Sequence, residues 1–246
     1  MARRTHEKTP HAKMLLVALR SVGYTNETAI ADILDNSISG AATEIELYFD
    51  WDNRRIIIAD NGFGMDYQEL MDAMEIGSAD PNEMRPSEDL GRFGLGMKLL
   101  PFLMAKKLLV ISKKNSTISN AEWNLNTVAS EDKWEISEYD ESEILMILES
   151  IDTYTQYNNW KQGTLIIISE LDRLIDETNI EKSKKNFYKM IRNIKSHIAI
   201  TFHRFMEEDA LKISVNGNKL EAWNPFWIKS PATMELAREE LFDGKK

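Results

Sequence analysis

Ile30 to Ala42 reads IADILDNSISGAA, and its apolar residues Ile30, Ile33, Leu34 and Ile38 recur at helical spacing. Asp32, Asp35, Asn36 and Ser39 fall on the opposite face. Asp32 and Asn36 stand one turn apart there, and a carboxylate with an amide carbonyl at i and i+4 can hold a water and a hard cation in one small space. The same pattern also describes the plain solvated side of an amphipathic helix, so its meaning depends on the chain around it.

Upstream, residues 1–10 (MARRTHEKTP) read as a polar arm, and His11 to Arg20 reads as a short helix interrupted at Gly23. Thr25 or Asn26 is the expected cap of the helix that carries the opening stretch, and Gly40 is its expected stop. Downstream, Thr43 to Asp50 alternates with period two and Arg54 to Ala59 is an apolar strand. The turn at Asp52 and Asn53 makes the pair a hairpin, which delivers the chain to Asp60, Asn61, Gly62, Phe63, Gly64 and Met65. A helix over Asp66 to Met74 follows. Gly77 to Arg92 then shows no periodicity and holds two prolines, which reads as a lid over a ligand.

The next stretch, GRFGLGMK (Gly91 to Lys98), runs straight into an apolar segment that Pro101 should kink or end. Backbone amides of such a loop can turn inward to meet oxyanions at a helix N-terminus, although glycines also serve turns and close packing. The stretch misses the P-loop pattern, because Met97 stands where that motif needs lysine, and it misses G-x-G-x-x-G as well. Asp60 with Gly62 and Gly64 is ambiguous in the same way: either a tight turn, or a carboxylate accepting a hydrogen bond from a base whose ring approaches the glycine backbone.

Strands are expected at Lys107 to Ser112 and Thr117 to Leu125, and a further one from Gly163 and Thr164 through LIIISEL. The acidic stretch Glu131 to Glu149 leans towards helix. Ile180 to Met206 is a long helical region, in one or two pieces, whose Lys and Arg most simply form a solvated face. Lys212 to Val215 and Lys219 to Ala222 flank Asn216 and Gly217, a strong hairpin signal.

Composition narrows the class. The chain has 246 residues, 43% apolar and 28% charged, as an ordinary globular protein does. Zero cysteines exclude disulfides and thiolate metal sites, and the four histidines show no ligand spacing. No apolar run reaches the length of a membrane span and the start has no signal-peptide core, so no membrane partner and a cytoplasmic location are the expectation. A net charge of −10 argues against gripping DNA through an undirected basic surface, while a local patch stays open.

Taken together, DNS (Asp35 to Ser37), ADNGFGMD (Ala59 to Asp66), GRFGLGMK (Gly91 to Lys98) and GT before a strand (Gly163, Thr164) resemble the four ATP-binding motifs of the GHKL superfamily in order and rough spacing. That superfamily comprises gyrase, the ninety-kilodalton heat-shock chaperones, histidine kinases and MutL, and the likeness is strongest to the branch that includes the microrchidia ATPases. It implies an α+β fold, a two-layer α/β sandwich of the Bergerat type with a mixed, mostly antiparallel sheet. It also implies ATP and Mg2+ as cofactors. By motif position, Asn36 matches the magnesium ligand and Asp60 the adenine-reading carboxylate, with Gly62, Gly64 and Met65 beside the ring. Arg92, Phe93, Gly94, Leu95, Gly96, Met97 and Lys98 match the triphosphate loop. Thr164 matches the threonine that supports the adenine contact.

One departure matters. Hydrolysing members carry glutamate four residues before the magnesium asparagine, whereas this chain has Asp32 there. Aspartate is shorter by about 1.5 Å, and a misplacement of about 1 Å can cost on the order of 100-fold in rate. Asp32 is therefore read as the catalytic candidate of a weak ATPase, with a degenerate site as the alternative. The resemblance divides the chain into an N-terminal arm or strap (1–20), an ATP-binding domain (21–172) and a helical region with a partial transducer-like segment (173–246). Three functions compete: an ATPase switch whose nucleotide closes the lid and drives homodimerisation, a histidine-kinase-type catalytic domain, and a non-hydrolysing interaction module. A protein client or nucleic acid would be reached through regions outside this chain.

Overall fold

Strands buried on one face alternate apolar and polar residues, while strands buried on both faces are apolar throughout. Both kinds occur here. In the computed structural model, which describes residues 11–21, 25–75, 101–226 and 231–234, β1 (Glu44–Asp50) turns its apolar Ile45, Leu47 and Phe49 into one core. In contrast β2 (Arg55–Asp60), β3 (Lys107–Lys114) and β5 (Gly163–Ser169) are buried on both sides. Ile56, Ile58, Leu108, Val110, Ile166 and Ile168 face the main core, while Ile57, Ala59, Leu109, Ile111, Leu165 and Ile167 face a second, smaller one.

With β4 (Thr117–Asn124), β6 (Lys212–Val215) and β7 (Asn218–Lys219), these strands form a seven-stranded sheet in the order β4-β3-β5-β2-β1-β6-β7. Only β1 and β6 pair in parallel; every other neighbouring pair is antiparallel. The fold is thus α+β with a mixed, mostly antiparallel sheet. Seven helices occur among the described residues.

Over the main core lie α1 (Ala12–Leu19), α2 (Asn26–Ser39) and a 22-residue helix, Ile180–Thr201. Thr25 caps α2 by accepting a hydrogen bond from the Thr28 N–H, and Gly40 ends it, as expected from the sequence. Next comes α3 (Tyr67–Met74), whose N-terminus is closed by a reciprocal capping box between Asp66 and Glu69. Then follow α4 (Leu125–Glu131), α5 (Glu141–Ile151), the long helix α6 (Ile180–Thr201) and α7 (His203–Glu207). α5 covers the second core through Ile144, Leu148 and Ile151, on the sheet face opposite α1, α2 and α6.

Residues on both sides of 172 share one sheet and one core: β6 extends the sheet beside β1, and Phe187, Met190, Ile194 and Ile198 of α6 enter the same core as Ile30, Ile33 and Leu34 of α2. The part of the expected strap that is described is docked in place. Ala12 and Leu16 of α1 are buried against the core, His11 bonds Asp132 just past α4, and Arg20 donates to the Phe102 carbonyl (2.7 Å) and to Asp172 (2.6 Å). Residues 1–10, the expected lid and the glycine-rich loop lie outside the described residues. The Asn216-Gly217 turn is present with both residues at positive φ, but β7 spans only two residues rather than four.

Because α6 belongs to the main core, Ile194→Ala is expected to destabilise the whole chain by about 2–5 kcal/mol. The denaturant transition should stay single when followed by both circular dichroism and tryptophan fluorescence. Two separated transitions would place a boundary near 172.

Candidate functional site

The end of β2, the end of α2 and the start of β5 meet at Asp60. β2 pairs with β5 so that Asp60 stands opposite Thr164, and the side chain is 5% exposed. A carboxylate that deep is costly unless each oxygen finds donors. Here Oδ1 accepts from the Gly62 N–H (2.9 Å) and the Thr164 N–H (3.3 Å), and Oδ2 accepts from the Ser37 hydroxyl (2.9 Å). Burial pushes the Asp60 carboxyl above the ordinary carboxylate range, opposed by those three hydrogen bonds.

Beyond Asp60 the turn is tied down on both sides. The Phe63 N–H donates to the Gly40 carbonyl (2.8 Å), joining the turn to the last residue of the α2 cap. The Met65 N–H donates to Ser112 Oγ (2.7 Å), and that hydroxyl donates to the Gly163 carbonyl (3.2 Å) and lies 3.3 Å from Thr164 Oγ1. Gly64 has φ +66°, and a Cβ there would come within 2.0 Å of the Lys113 carbonyl oxygen. Gly163 is equally constrained, since a Cβ on it would reach 2.0 Å from the Asp60 carbonyl oxygen. Asn61, between the two functional candidates, is a clamp: its Oδ1 accepts the Thr43 and Glu44 N–H groups, both at 2.9 Å.

These contacts enclose a cleft of about 240 Å³. Asn36, Asp60, Gly62, Gly64, Met65 and Thr164, all singled out from the sequence, line it together with Ser37 and the exposed ring of Phe63. Ser37 and Ser112 were missed by sequence reasoning. Ser37 had a signal, being the residue after Asn36 in DNS and one turn beyond Ile33; Ser112 had only its position as a polar residue inside an apolar strand. Arg92 to Lys98 lie outside the described residues. Asp32 sits on α2 one turn before Asn36 and is half-buried, but it is not among the residues lining this cleft.

Asp32 and Asp35 are a like-charged pair on α2. Desolvation raises the Asp32 carboxyl, and desolvation with the charge of Asp32 pushes Asp35 up to about 6. No group of three His, Cys, Asp or Glu suited to a metal occurs among the described residues. Asn36, exposed and lining the cleft, carries an oxygen donor of the kind Mg2+ takes.

The model of the histidine kinase-, DNA gyrase B-, and HSP90-like ATPase family matches residues 24–164, more than half of the chain. The chain belongs to that ATPase family. It is 29% identical over 119 residues to ATPase morc-1 of Caenorhabditis elegans, a match covering 46% of this chain and 14% of that protein. It is also 27% identical over 96 residues to ATPase MORC2B of Mus musculus, covering 37% of this chain and 9% of that protein. The chain thus matches only a small part of the length of these curated relatives. No helix among the described residues is long and apolar enough to cross a membrane.

Asp35 gives the site a pH signature. Its folded pKa lies above the unfolded value of about 3.9, so the folded state holds the proton more tightly, and stability falls as pH rises from about 4 through about 6. Asp35→Asn removes that penalty. The variant should gain a few degrees in Tm at pH 7.5 and nothing at pH 3.5, as checked by calorimetry in the absence of nucleotide; an equal gain at both values would contradict this assignment.

Proposed function

We propose that this chain binds Mg-ATP in the cleft at Asp60 and hydrolyses it slowly, using the bound nucleotide to close residues 77–93 and to pair with a second copy. The observation that supports it best is the buried Asp60 carboxylate, whose Oδ2 already accepts the Ser37 hydroxyl and retains acceptor capacity towards the cleft. An ionised carboxylate is acceptor-only, so it favours a base that presents an amino group, as adenine does, over one that presents a carbonyl. Gly62 and Gly64 leave the turn backbone open to a flat ring, and Met65 and Ile33 supply apolar walls.

From the adenine end, α2 leads to Asn36, where the side chain carbonyl would hold Mg2+ shared with the phosphates. The magnesium supplies charge neutralisation for the triphosphate. One turn earlier Asp32 is the group that would orient water, and its half-burial raises its proton affinity in the direction a general base needs. The shorter side chain limits the rate. Gly94, Gly96 and Lys98, with Arg92, are the proposed triphosphate contacts by motif position.

A second reading, a non-hydrolysing module that uses nucleotide only to set its shape, is favoured by Asp32 lying outside the cleft lining. The two separate in one experiment. Calorimetric titration should show ATP binding that depends on magnesium in the parent and loses that dependence in Asn36→Ala. Phosphate release by the parent should be slow, fall to background in Asp32→Ala and rise in Asp32→Glu. A parent whose phosphate release is unchanged by Asp32→Ala contradicts the assigned base, and a parent that binds no ATP contradicts the whole reading.

A further inference from the structure

Two helices on opposite faces of the sheet each keep an outward side of one charge sign. α5 covers the second core through Ile144, Leu148 and Ile151, and α6 covers the main core through Phe187, Met190, Ile194 and Ile198. On α5 the exposed side carries Glu141, Leu145, Met146 and Glu149, with Leu145 49% and Met146 70% exposed among the described residues. Two adjacent large apolar side chains held in water between two acids forgo burial energy that a partner would recover. The surrounding stretch, residues 131–152, holds nine carboxylates and one lysine.

α6 has the opposite character. Lys185, Lys189 and Arg192 follow one another at four- and three-residue spacing on its outward side, all exposed, with the ring of Tyr188 half-exposed beside them. The only carboxylate of the helix is Glu181, against six lysines and arginines. Solvated faces gain from opposite charges three or four residues apart and lose from like ones, so this row stands under its own repulsion. Among the described residues no ion pair engages Glu141, Glu149 or any of the six cations, although Lys182 lies in the field of Asp176.

The two faces match in order and length. α5 presents acid, apolar pair, acid; α6 presents base, aromatic ring, base. Glu141 to Glu149 spans about 12 Å of helix axis and Lys185 to Arg192 about 10 Å, at about 1.5 Å per residue. Laid side by side in either direction, the charges meet their opposites at both ends while Tyr188 falls against Leu145 and Met146. Within one chain the sheet stands between them, so the complement of each face is found on another copy.

We infer that the outer face of α6 in one copy docks on the outer face of α5 in the next, front to back. Such a contact is heterologous: every copy added leaves a free α5 at one end and a free α6 at the other, so the array extends beyond a dimer. It is independent of the nucleotide cleft, which neither face lines, and distinct from the nucleotide-driven pairing proposed above. Two helix faces make a small interface of the transient class, so the array forms at high protein concentration. With a net charge of −10, orientations that bring acidic surface to acidic surface are disfavoured, which selects this one.

The test is sedimentation velocity of the full chain without nucleotide, over a concentration series, beside two charge-reversed variants: Lys185→Glu with Lys189→Glu, and Glu141→Lys with Glu149→Lys. The parent should grow past the dimer with concentration and dissociate as salt rises. Each variant alone should associate at least about tenfold more weakly, because like charges then face each other. An equimolar mixture of the two should associate again, since the reversed α6 of one meets the reversed α5 of the other and the untouched faces meet in turn. Circular dichroism melts establish that each variant is folded, and the single exposed change Met146→Ser, which leaves every charge in place, should weaken association several-fold. A parent that stays monomeric or stops at a dimer, folded variants that associate like the parent, or a mixture no better than its parts overturns the inference.

Discussion

A single buried carboxylate sets the terms for the rest of the molecule. Asp60 ends a strand in the middle of the sheet, where an unpaired charge would be prohibitive, and three donors from three elements hold it: Ser37 from α2, Gly62 from the turn and Thr164 from β5. Those donors arrive only if β2 and β5 are in register, if α2 lies across the sheet, and if the turn after Asp60 bends sharply. The sheet order and the constrained Gly64 and Gly163 are thus requirements of one group, and the cleft is the space that this arrangement leaves open.

The same geometry draws on the region after residue 172. α2 can present Ser37 and Asn36 only while its other side is held, and α6 does this from the main core; Glu27 of α2 even bonds Asn193 of α6. β6 then protects the edge of β1. The shape of the cleft is therefore tied to a segment distant in sequence.

Much of this was legible beforehand, for physical reasons that differ by element. Thr25 and Gly40 bound α2 because cap and stop residues act locally, and the hairpin of β1 and β2 declared itself by alternation followed by a turn. Asp60, Gly62, Gly64 and Thr164, which the sequence motifs single out, line one cleft. Ser37 and Ser112 were harder, since a lone serine in a helix or strand carries no pattern until its partner is placed. The parallel pairing of β1 with β6 was not legible, because it joins residues some 168 apart, as in Glu44 and Lys212, and no local signal encodes it. The roof over the second core was hidden likewise: α5 is visibly amphipathic, but periodicity does not say which sheet face it meets.

The central claim, that Asp60 reads an amino group on the base, is tested most directly by comparing ATP with inosine triphosphate, which replaces that amino group with a carbonyl. Hydrogen bonds to charged groups contribute about 1.5–3 kcal/mol, so ATP should bind at least about tenfold more tightly in calorimetric titration. Equal affinities would contradict the account and move base recognition away from Asp60.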